Sequence, residues 1–380
     1  MPPSLTSNGF EIAKGTNVSE AFISPYYSEN DRKQLFGLND IKYISRFGMD
    51  HVRIPISEEI MWSKNGSKIE DRFYRLEQVI SESIGNGLRV ILCFHSLRSH
   101  PIFGKGVPNL FTEEEEVDNF KGKWQQISEI FKSYSVQYLA YELLNEPRAP
   151  LDEDWNRVLK STYLFIRDQD TDRTLFFGSN FYQIPERMKT LFLPEDDHNI
   201  IKTFHFYYPM LFTHYKASWL INGAYNGPIQ YPGRPIPNEY VDDLEEPLGN
   251  HLGQNNGPVT KNIIKKILMS LDTAIGKTNH PVHCGEFGCI DETPIASRRK
   301  WYDDLVSCLE EQGIPWTNWD WKGNFGILDK ATWKPSSIHQ SLGLKQPFFG
   351  GVTRPHLSLR SKVRRRLGRI ARSLGYRNNR

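Results

Sequence analysis

Two glutamates, Glu146 and Glu286, are the residues of this sequence best suited to paired carboxyl chemistry. Each stands at the end of a short apolar run that is typical of a buried strand. Cleavage of a glycosidic bond requires two carboxyl groups, one kept protonated and the other ionised. Two acids held close together titrate as a coupled unit, in which the pKa of one member is raised. We therefore interpret Glu146 and Glu286 as an acid/base and nucleophile pair, as used when the anomeric configuration is retained.

Other polar residues, Arg53 among them, are predicted to lie at the ends of the strands and to surround this pair. The candidates for binding substrate are Arg53, His95, Asn145, His205, Tyr207 and Trp319. Arg53 would keep the nucleophile of the pair ionised, and Tyr207 would hold the nucleophile's orientation. Asn145 can donate to a sugar 2-hydroxyl, and the flat ring of Trp319 can stack on a sugar. Any one of these residues alone would be more typical of a loop cap or a salt bridge, but the whole set predicts an active site.

Eight strand-like runs, separated by helical patterns, are the elements that must position these residues. The runs cover residues 10–16, 50–56, 88–95, 138–144, 175–179, 200–207, 281–286 and 314–319. They are short and mostly apolar without strict alternation, as in strands buried on both faces. Consecutive βα units favour a single (β/α)8 TIM barrel, whose catalytic groups lie at the carboxyl ends of the strands. Residues 210–257, rich in Gly, Pro, Asn and Tyr, are predicted to form a long loop that walls the cleft.

The segments around the candidate residues also match known motifs. The matching segments are Lys14-Gly15-Thr16-Asn17, Val52-Arg53-Ile54-Pro55, Leu144-Asn145-Glu146-Pro147, His205-Phe206-Tyr207-Tyr208-Pro209, Gly285-Glu286-Phe287-Gly288 and Trp316-Thr317-Asn318-Trp319-Asp320. Together they resemble glycoside hydrolase family 5, a cellulase-like family of retaining TIM-barrel enzymes, over roughly residues 10–330. The resemblance implies an endo-acting β-glucanase that works by double displacement without a cofactor or metal, with Glu146 as the general acid/base and Glu286 as the nucleophile. One departure is the segment after His95, Ser96-Leu97-Arg98-Ser99-His100, which replaces a Gly-rich stretch and bears on subsites rather than on chemistry.

Two alternative functions remain open at this stage. One is an exo-acting or transglycosylating enzyme that trims a polysaccharide during its synthesis. The other is a catalytically silent glycan-binding protein, which the completeness of the candidate set disfavours. The sequence lacks a Gly-x-Ser-x-Gly elbow, a phosphate-binding loop and a His-Glu-x-x-His metal motif. We expect a β-linked polysaccharide or oligosaccharide as partner, and no nucleic acid.

The charge of the chain is concentrated at its C-terminus. The formal net charge of +2 divides into ten positive residues within 354–380, where no Asp or Glu occurs, and a net −8 over the remainder. Apolar residues recur there at helical spacing: Val363, Leu367, Ile370 and Leu374. We expect a catalytic domain of residues 1–350 and a basic, amphipathic tail of residues 351–380. The tail suits an anionic membrane surface or an acidic polymer, and a merely solvated terminus is the alternative.

Two further expectations concern location and redox state. Residues 1–10 lack the charged and apolar regions of a signal peptide, and no apolar run is long enough to span a membrane. These features predict a cytoplasmic protein, peripheral to a membrane if the tail binds one. The four cysteines have no Cys-x-x-Cys spacing and are predicted to be buried free thiols.

Overall fold

The computed structural model describes residues 4–24, 27–28, 31–32, 35–102, 104, 106–242, 244, 248–275, 280–329 and 332–346. The strands in this part of the chain are β1 Ser4–Leu5, β2 Glu11–Ile12, β3 Lys14–Asn17, β4 His51–Ser57, β5 Arg89–Ser96, β6 Leu139–Glu142, β7 Leu175–Gly178, β8 Ile200–Phe206, β9 Val282–Phe287 and β10 Trp316–Asn318. Strands β3 to β10 form a closed parallel barrel in chain order, with β10 beside β3. The predicted (β/α)8 barrel is confirmed.

The N-terminal strand differs from the prediction of one strand over residues 10–16. In the structure, β2 pairs antiparallel with β1 outside the barrel, and only β3 belongs to the barrel. Asp50 separates the two strands, because its carboxylate accepts hydrogen bonds from the backbone N–H groups of Ala13 and Lys14, at 3.0 Å each. The barrel strand therefore begins at Lys14.

The described helices of eight or more residues are α1 Leu38–Arg46, α2 Glu70–Gly85, α3 Glu114–Phe131, α4 Asp152–Arg167, α5 Leu248–Asn255, α6 Lys261–Ile275 and α7 Ile295–Glu311. The apolar stripe of α3 from Val117 to Phe131 is buried, as its spacing of three and four predicts. Helix α2 ends where Gly87 adopts a left-handed φ of 78°, a common way for a helix to stop. A 3-10 helix, Pro185–Thr190, connects β7 to β8 and packs against α6. None of the helices described is long and apolar enough to cross a bilayer.

Residues 210–257 are more ordered than the predicted loop. They contain the short helices Met210–Thr213, Ile221–Ala224 and Asn238–Asp242 in addition to α5. Tyr231 anchors the segment to α7, because its hydroxyl donates to Asp304 Oδ2 at 3.0 Å. Near the start of the segment, the ring of His214 lies 5.0 Å from the ring of Tyr207. This end of the insertion therefore borders the candidate site.

The barrel interior is filled with side chains below the site. An apolar cluster contains Phe10 and Ile12, which precede β3, together with residues of β5 to β8. A polar layer contains His51 and His283, whose Nε2 atoms lie 2.7 and 2.8 Å from Thr317 Oγ1. The prediction of buried free thiols is confirmed, since all four cysteines are buried and unpaired with one another. The packed interior leaves the carboxyl ends of the strands as the place for a site.

Candidate active site

The barrel brings together every residue predicted for the site. In chain order these are Arg53, His95, Asn145, Glu146, His205, Tyr207, Glu286 and Trp319. Most of them lie at, or just beyond, the carboxyl ends of strands. Arg53 does not, because it is the third residue of β4, which continues to Ser57. The placement of Arg53 at a strand end was wrong, and its long side chain reaches Glu286 from within the strand instead.

Arg53 is the fully buried centre of the site. Its Nη1 donates to Glu286 Oε1 at 2.6 Å and to Asn17 Oδ1 at 2.8 Å. Its Nη2 donates to Asn145 Oδ1 at 2.8 Å, and its Nε donates to Glu142 Oε2 at 2.6 Å. The planar guanidinium fixes all these partners in one geometry. Several groups thus fix the orientation of the Arg53 guanidinium, and its Nη1 donates to the carboxylate of Glu286.

Glu286 receives the donors that favour an ionised carboxylate. Tyr207 donates its hydroxyl proton to Oε2 at 3.0 Å, opposite the Arg53 contact at Oε1. Burial raises the pKa of Glu286, and the nearby His205 and Arg53 act against that rise. Hydrogen bonds from charged and phenolic donors stabilise the anion and leave its lone pairs in a fixed orientation. This arrangement suits a nucleophile that must be ionised before substrate binds.

Glu146 has a different environment, which favours the protonated form. Burial, opposed by the charge of Arg53 and assisted by the negative charge of Glu142, raises the pKa of Glu146 to about 7. Glu146 Oε1 lies 2.9 Å from Nδ1 of His205. Burial lowers the pKa of His205 to about 4, so this ring is neutral near pH 7. A carboxyl group with a pKa near the working pH is suited to general acid/base catalysis.

The two carboxyl groups are close together. Side-chain oxygens of Glu146 and Glu286 and a ring nitrogen of His205 all lie within 4.8 Å of one another. Retaining glycosidases hold their carboxyl groups ~5–5.5 Å apart, whereas inverting enzymes leave ~6.5–9.5 Å for a water molecule. The short separation found here is the one expected of a retaining enzyme.

The same three side chains are, in the described part of the chain, the group that could share a metal ion. A cation there would compete with Arg53, which already contacts Glu286 at 2.6 Å.

Trp319 and His95 form a stacked pair beside the carboxyl groups. Their ring centroids are 5.5 Å apart and their planes differ by 8°. Trp319 is partly exposed, whereas His95 is buried. Burial lowers the pKa of His95 well below its usual value, so the ring is neutral. The stacking of a sugar on Trp319, and donation from Asn145 to a sugar hydroxyl, stay predictions.

Two buried polar residues of the site were not predicted from the sequence. Glu142, the last residue of β6, accepts hydrogen bonds from Arg53 through both carboxylate oxygens. Gln183, which follows β7, accepts a hydrogen bond from the backbone N–H of Glu146 at 2.7 Å. The signal for Glu142 was present, because a charged residue inside an apolar strand is rarely buried without a partner. No comparable signal marks Gln183, which lies in the turn that follows β7.

The unusual segment after His95 contacts the loop that carries Glu146. Arg98 donates to Glu58 Oε1 at 2.6 Å and to the carbonyl of Trp62 at 2.9 Å. His100 Nε2 accepts a hydrogen bond from the backbone N–H of Arg148, two residues after Glu146, at 3.2 Å. Arg148 in turn donates to the carbonyls of Pro101 and Gly104. The segment therefore forms a hydrogen-bonded border of the site.

Comparison with known proteins identifies related enzymes. The model of a family described as cellulase (glycosyl hydrolase family 5) matches residues 9–325. Endoglucanase C of Acetivibrio thermocellus is 30% identical over 292 residues, which are 74% of this chain and 83% of that protein. Cellodextrinase A of Ruminococcus flavefaciens is 26% identical over 315 residues, which are 82% of this chain and 85% of that protein. The match thus includes the segments that carry both glutamates.

A solved structure shows the same architecture. The crystal structure of an endoglucanase from the hyperthermophilic Thermotoga maritima aligns with a TM-score of 0.70 and 26% sequence identity. The alignment covers 87% of this chain and 96% of that one. The likeness therefore extends over the barrel as a whole, including the strands that position the site.

Proposed function

The chain belongs to glycosyl hydrolase family 5, and we propose that it is a retaining endo-β-glucanase in which Glu146 is the acid/base and Glu286 the nucleophile. The observation that carries this assignment is the unequal environment of two adjacent carboxyl groups. Arg53 and Tyr207 donate to Glu286, whereas the pKa of Glu146 is raised to about 7. The names of the relatives, endoglucanase and cellodextrinase, support a glucan of the cellulose type as substrate.

The mechanism follows from these two environments. A carboxylate oxygen of Glu286 attacks the anomeric carbon while Glu146 gives its proton to the departing glycosidic oxygen, so the glycosidic bond breaks as a bond to Glu286 forms. Glu146, now ionised, takes a proton from water, and the resulting nucleophile attacks the same carbon. The bond to Glu286 breaks and restores its carboxylate. Two inversions at one carbon leave the anomeric configuration unchanged.

The stereochemical prediction tests the proposal directly. We expect proton NMR to show the β-anomer as the first product formed from a β-linked cello-oligosaccharide, before mutarotation. Added methanol should intercept the glycosyl-enzyme and yield a methyl β-glycoside, because the alcohol can replace water in the second step. A first-formed α-anomer would exclude a nucleophilic role for Glu286.

Product analysis distinguishes endo action from the alternatives. On a panel of glucan, mannan and xylan polysaccharides, we expect a ladder of oligosaccharides and a rapid fall in viscosity with a β-glucan. A single small sugar from the earliest time points would favour the exo-acting alternative. Binding of a polysaccharide without release of reducing ends would favour the catalytically silent alternative.

We also propose that the basic segment 354–380 binds an anionic surface. This segment lies outside the described residues, and the proposal rests on its ten Lys and Arg residues and its lack of Asp and Glu. Attraction to anionic lipid is worth about 1 kcal/mol for each basic residue near the surface and is screened by salt.

Removal of residues 354–380 should therefore abolish co-sedimentation with phosphatidylserine vesicles at low salt. The melting temperature, and activity on a short soluble substrate, should stay nearly unchanged, because the described barrel elements end before this segment. Neutral vesicles are the matched control. An intact protein that ignores anionic vesicles, or binds an acidic polysaccharide in preference to them, would contradict the membrane proposal.

A further inference from the structure

A left-handed turn lies beside the acid/base residue. In the turn Asn180–Gln183, which directly follows β7 and Ser179, the φ angles of Phe181, Tyr182 and Gln183 are 53°, 64° and 56°. Residues other than glycine rarely adopt this conformation, and a run of three is costly. Such strain persists where surrounding contacts determine the backbone, and it is concentrated at functional sites. The contacts of this turn therefore indicate what it does.

The contacts of the turn lead to Glu146. The backbone N–H of Tyr182 donates to the carbonyl of Pro147 at 3.2 Å. The side-chain Oε1 of Gln183 accepts the backbone N–H of Glu146 at 2.7 Å. Gln183 is fully buried, and a Cβ atom at Gly178 would lie 2.5 Å from its side-chain carbon Cδ. A glycine is thus required at the end of β7 to leave room for the Gln183 amide.

The other end of the Gln183 amide leads to the nucleophile. Its Nε2 donates to Glu142 Oε1 at 3.3 Å, and Glu142 holds Arg53 through both of its oxygens. Arg53 contacts Glu286 at 2.6 Å. A continuous path of hydrogen bonds, buried from Gln183 to Glu286 and partly buried at Glu146, therefore joins the backbone of the acid/base to the carboxylate of the nucleophile.

Glu146 itself has a strained backbone, with a φ of 46°. A non-glycine residue in this region requires contacts that hold it there. The turn supplies such contacts on both sides of Glu146, because Gln183 accepts from the N–H of Glu146 and Tyr182 donates to the carbonyl of Pro147. Rotation of Glu146 toward negative φ would move the carboxyl group away from His205, which it contacts at 2.9 Å.

We propose that Gln183 is a positioning residue that holds Glu146 in its proton-donating position and, through Glu142 and Arg53, fixes that position relative to Glu286. The inference rests on the proposed function, since it assigns Gln183 a part in the acid/base role of Glu146. Gln183 does not touch the reacting atoms and acts through the backbone of Glu146. Its loss should therefore affect proton donation to the leaving group more than attack by the nucleophile.

The test compares two aryl β-cellobiosides that differ only in leaving group. Gln183→Met keeps the length of the side chain but removes both amide contacts. For phenyl β-cellobioside, which needs a proton on its departing oxygen, we expect kcat/KM to fall at least about 10-fold, a part of the ~10²–10⁴-fold that a general acid contributes. For 2,4-dinitrophenyl β-cellobioside, whose leaving group departs without a proton, the fall should be below about 3-fold. Gln126→Met is the matched control, because Gln126 accepts from Trp62 Nε1 at 3.0 Å on the outer helix α3.

Three results would overturn the proposal, two of them kinetic and one crystallographic. An equal loss of kcat/KM on both aryl glycosides would indicate a general structural defect, and no loss on either would show that Gln183 is dispensable. A crystal structure of Gln183→Met provides an arm that does not depend on activity. Displacement of Glu146 from its left-handed φ is expected, and an unchanged Glu146 within 2.9 Å of His205 would contradict the proposal. Failure of the wild-type enzyme on both cellobiosides would count against the proposed substrate, and the crystal structure would still decide the role of Gln183.

Discussion

Glu286→Gln is expected to lower kcat on a β-glucan by roughly 10⁴-fold or more while the protein stays folded. In the wild-type enzyme Arg53 and Tyr207 contact the two carboxylate oxygens at 2.6 and 3.0 Å. The amide oxygen of the variant can still accept from Arg53, and its NH2 group can donate to the hydroxyl oxygen of Tyr207. The fold is therefore preserved, but a neutral amide cannot form the covalent bond to the anomeric carbon. Initial rates of reducing-end release, together with the melting temperature, measure the two effects separately.

The control for this substitution is Asp304→Asn. It neutralises another buried carboxylate, which accepts from Tyr231 at 3.0 Å on helix α7 rather than in the site. Activity of this variant should stay within a few-fold of wild type. A stronger test uses Glu286→Gly with azide, which can enter the vacated space and attack the anomeric carbon in one step. We expect this variant to form an α-glycosyl azide. A folded Glu286→Gln enzyme with near wild-type activity would refute the assignment of Glu286 as the nucleophile.

The parts of the fold that follow from local sequence were predictable. Apolar runs that are buried on both faces, separated by helical stripes, specify a barrel because few architectures bury so many parallel strands. The split of the first strand was not predictable, since it depends on Asp50, which lies 36 residues from Lys14 in the chain. The insertion of residues 210–257 was taken for a loop because its helices are short, and its anchoring depends on a tertiary contact between Tyr231 and Asp304.

The site was predictable where polar residues interrupt the expected pattern at a strand end. Glu146 and Glu286 stand out in this way. Glu142 was overlooked because it falls inside the predicted run 138–144 and not at its end, although a buried charge there needs a partner, which the structure identifies as Arg53. Gln183 depends on a left-handed turn without glycine, which no local propensity favours. Residues that act by holding other residues are therefore harder to find from sequence than those that perform the chemistry.

We expect the rate of hydrolysis to depend strongly on pH, because Glu146 must be protonated for the first step. The acid/base must be protonated in the first step, so kcat/KM should fall as pH rises through the pKa of Glu146, about 7. The nucleophile must be ionised, so activity should also fall at low pH as Glu286 gains a proton. The two limbs form a bell whose apparent pKa values belong to the coupled pair. Glu146→Gln removes the titrating group and should abolish the alkaline limb.

The size of the Glu146→Gln effect depends on the leaving group. We expect a loss of ~10²–10⁴-fold in kcat/KM for a glucan, because in the variant the glycosidic oxygen must depart without a proton from Glu146. With 2,4-dinitrophenyl β-cellobioside the first step needs no acid, so we expect a rapid burst of dinitrophenol. The glycosyl-enzyme should then accumulate, because water attacks it slowly without a general base. Azide, which needs no general base, should restore turnover and yield a β-glycosyl azide, since it attacks the face opposite Glu286. Asp197→Asn, which removes a carboxylate paired with Arg167 just before β8, should leave both limbs in place. An alkaline limb that persists in Glu146→Gln would show that another group donates the proton.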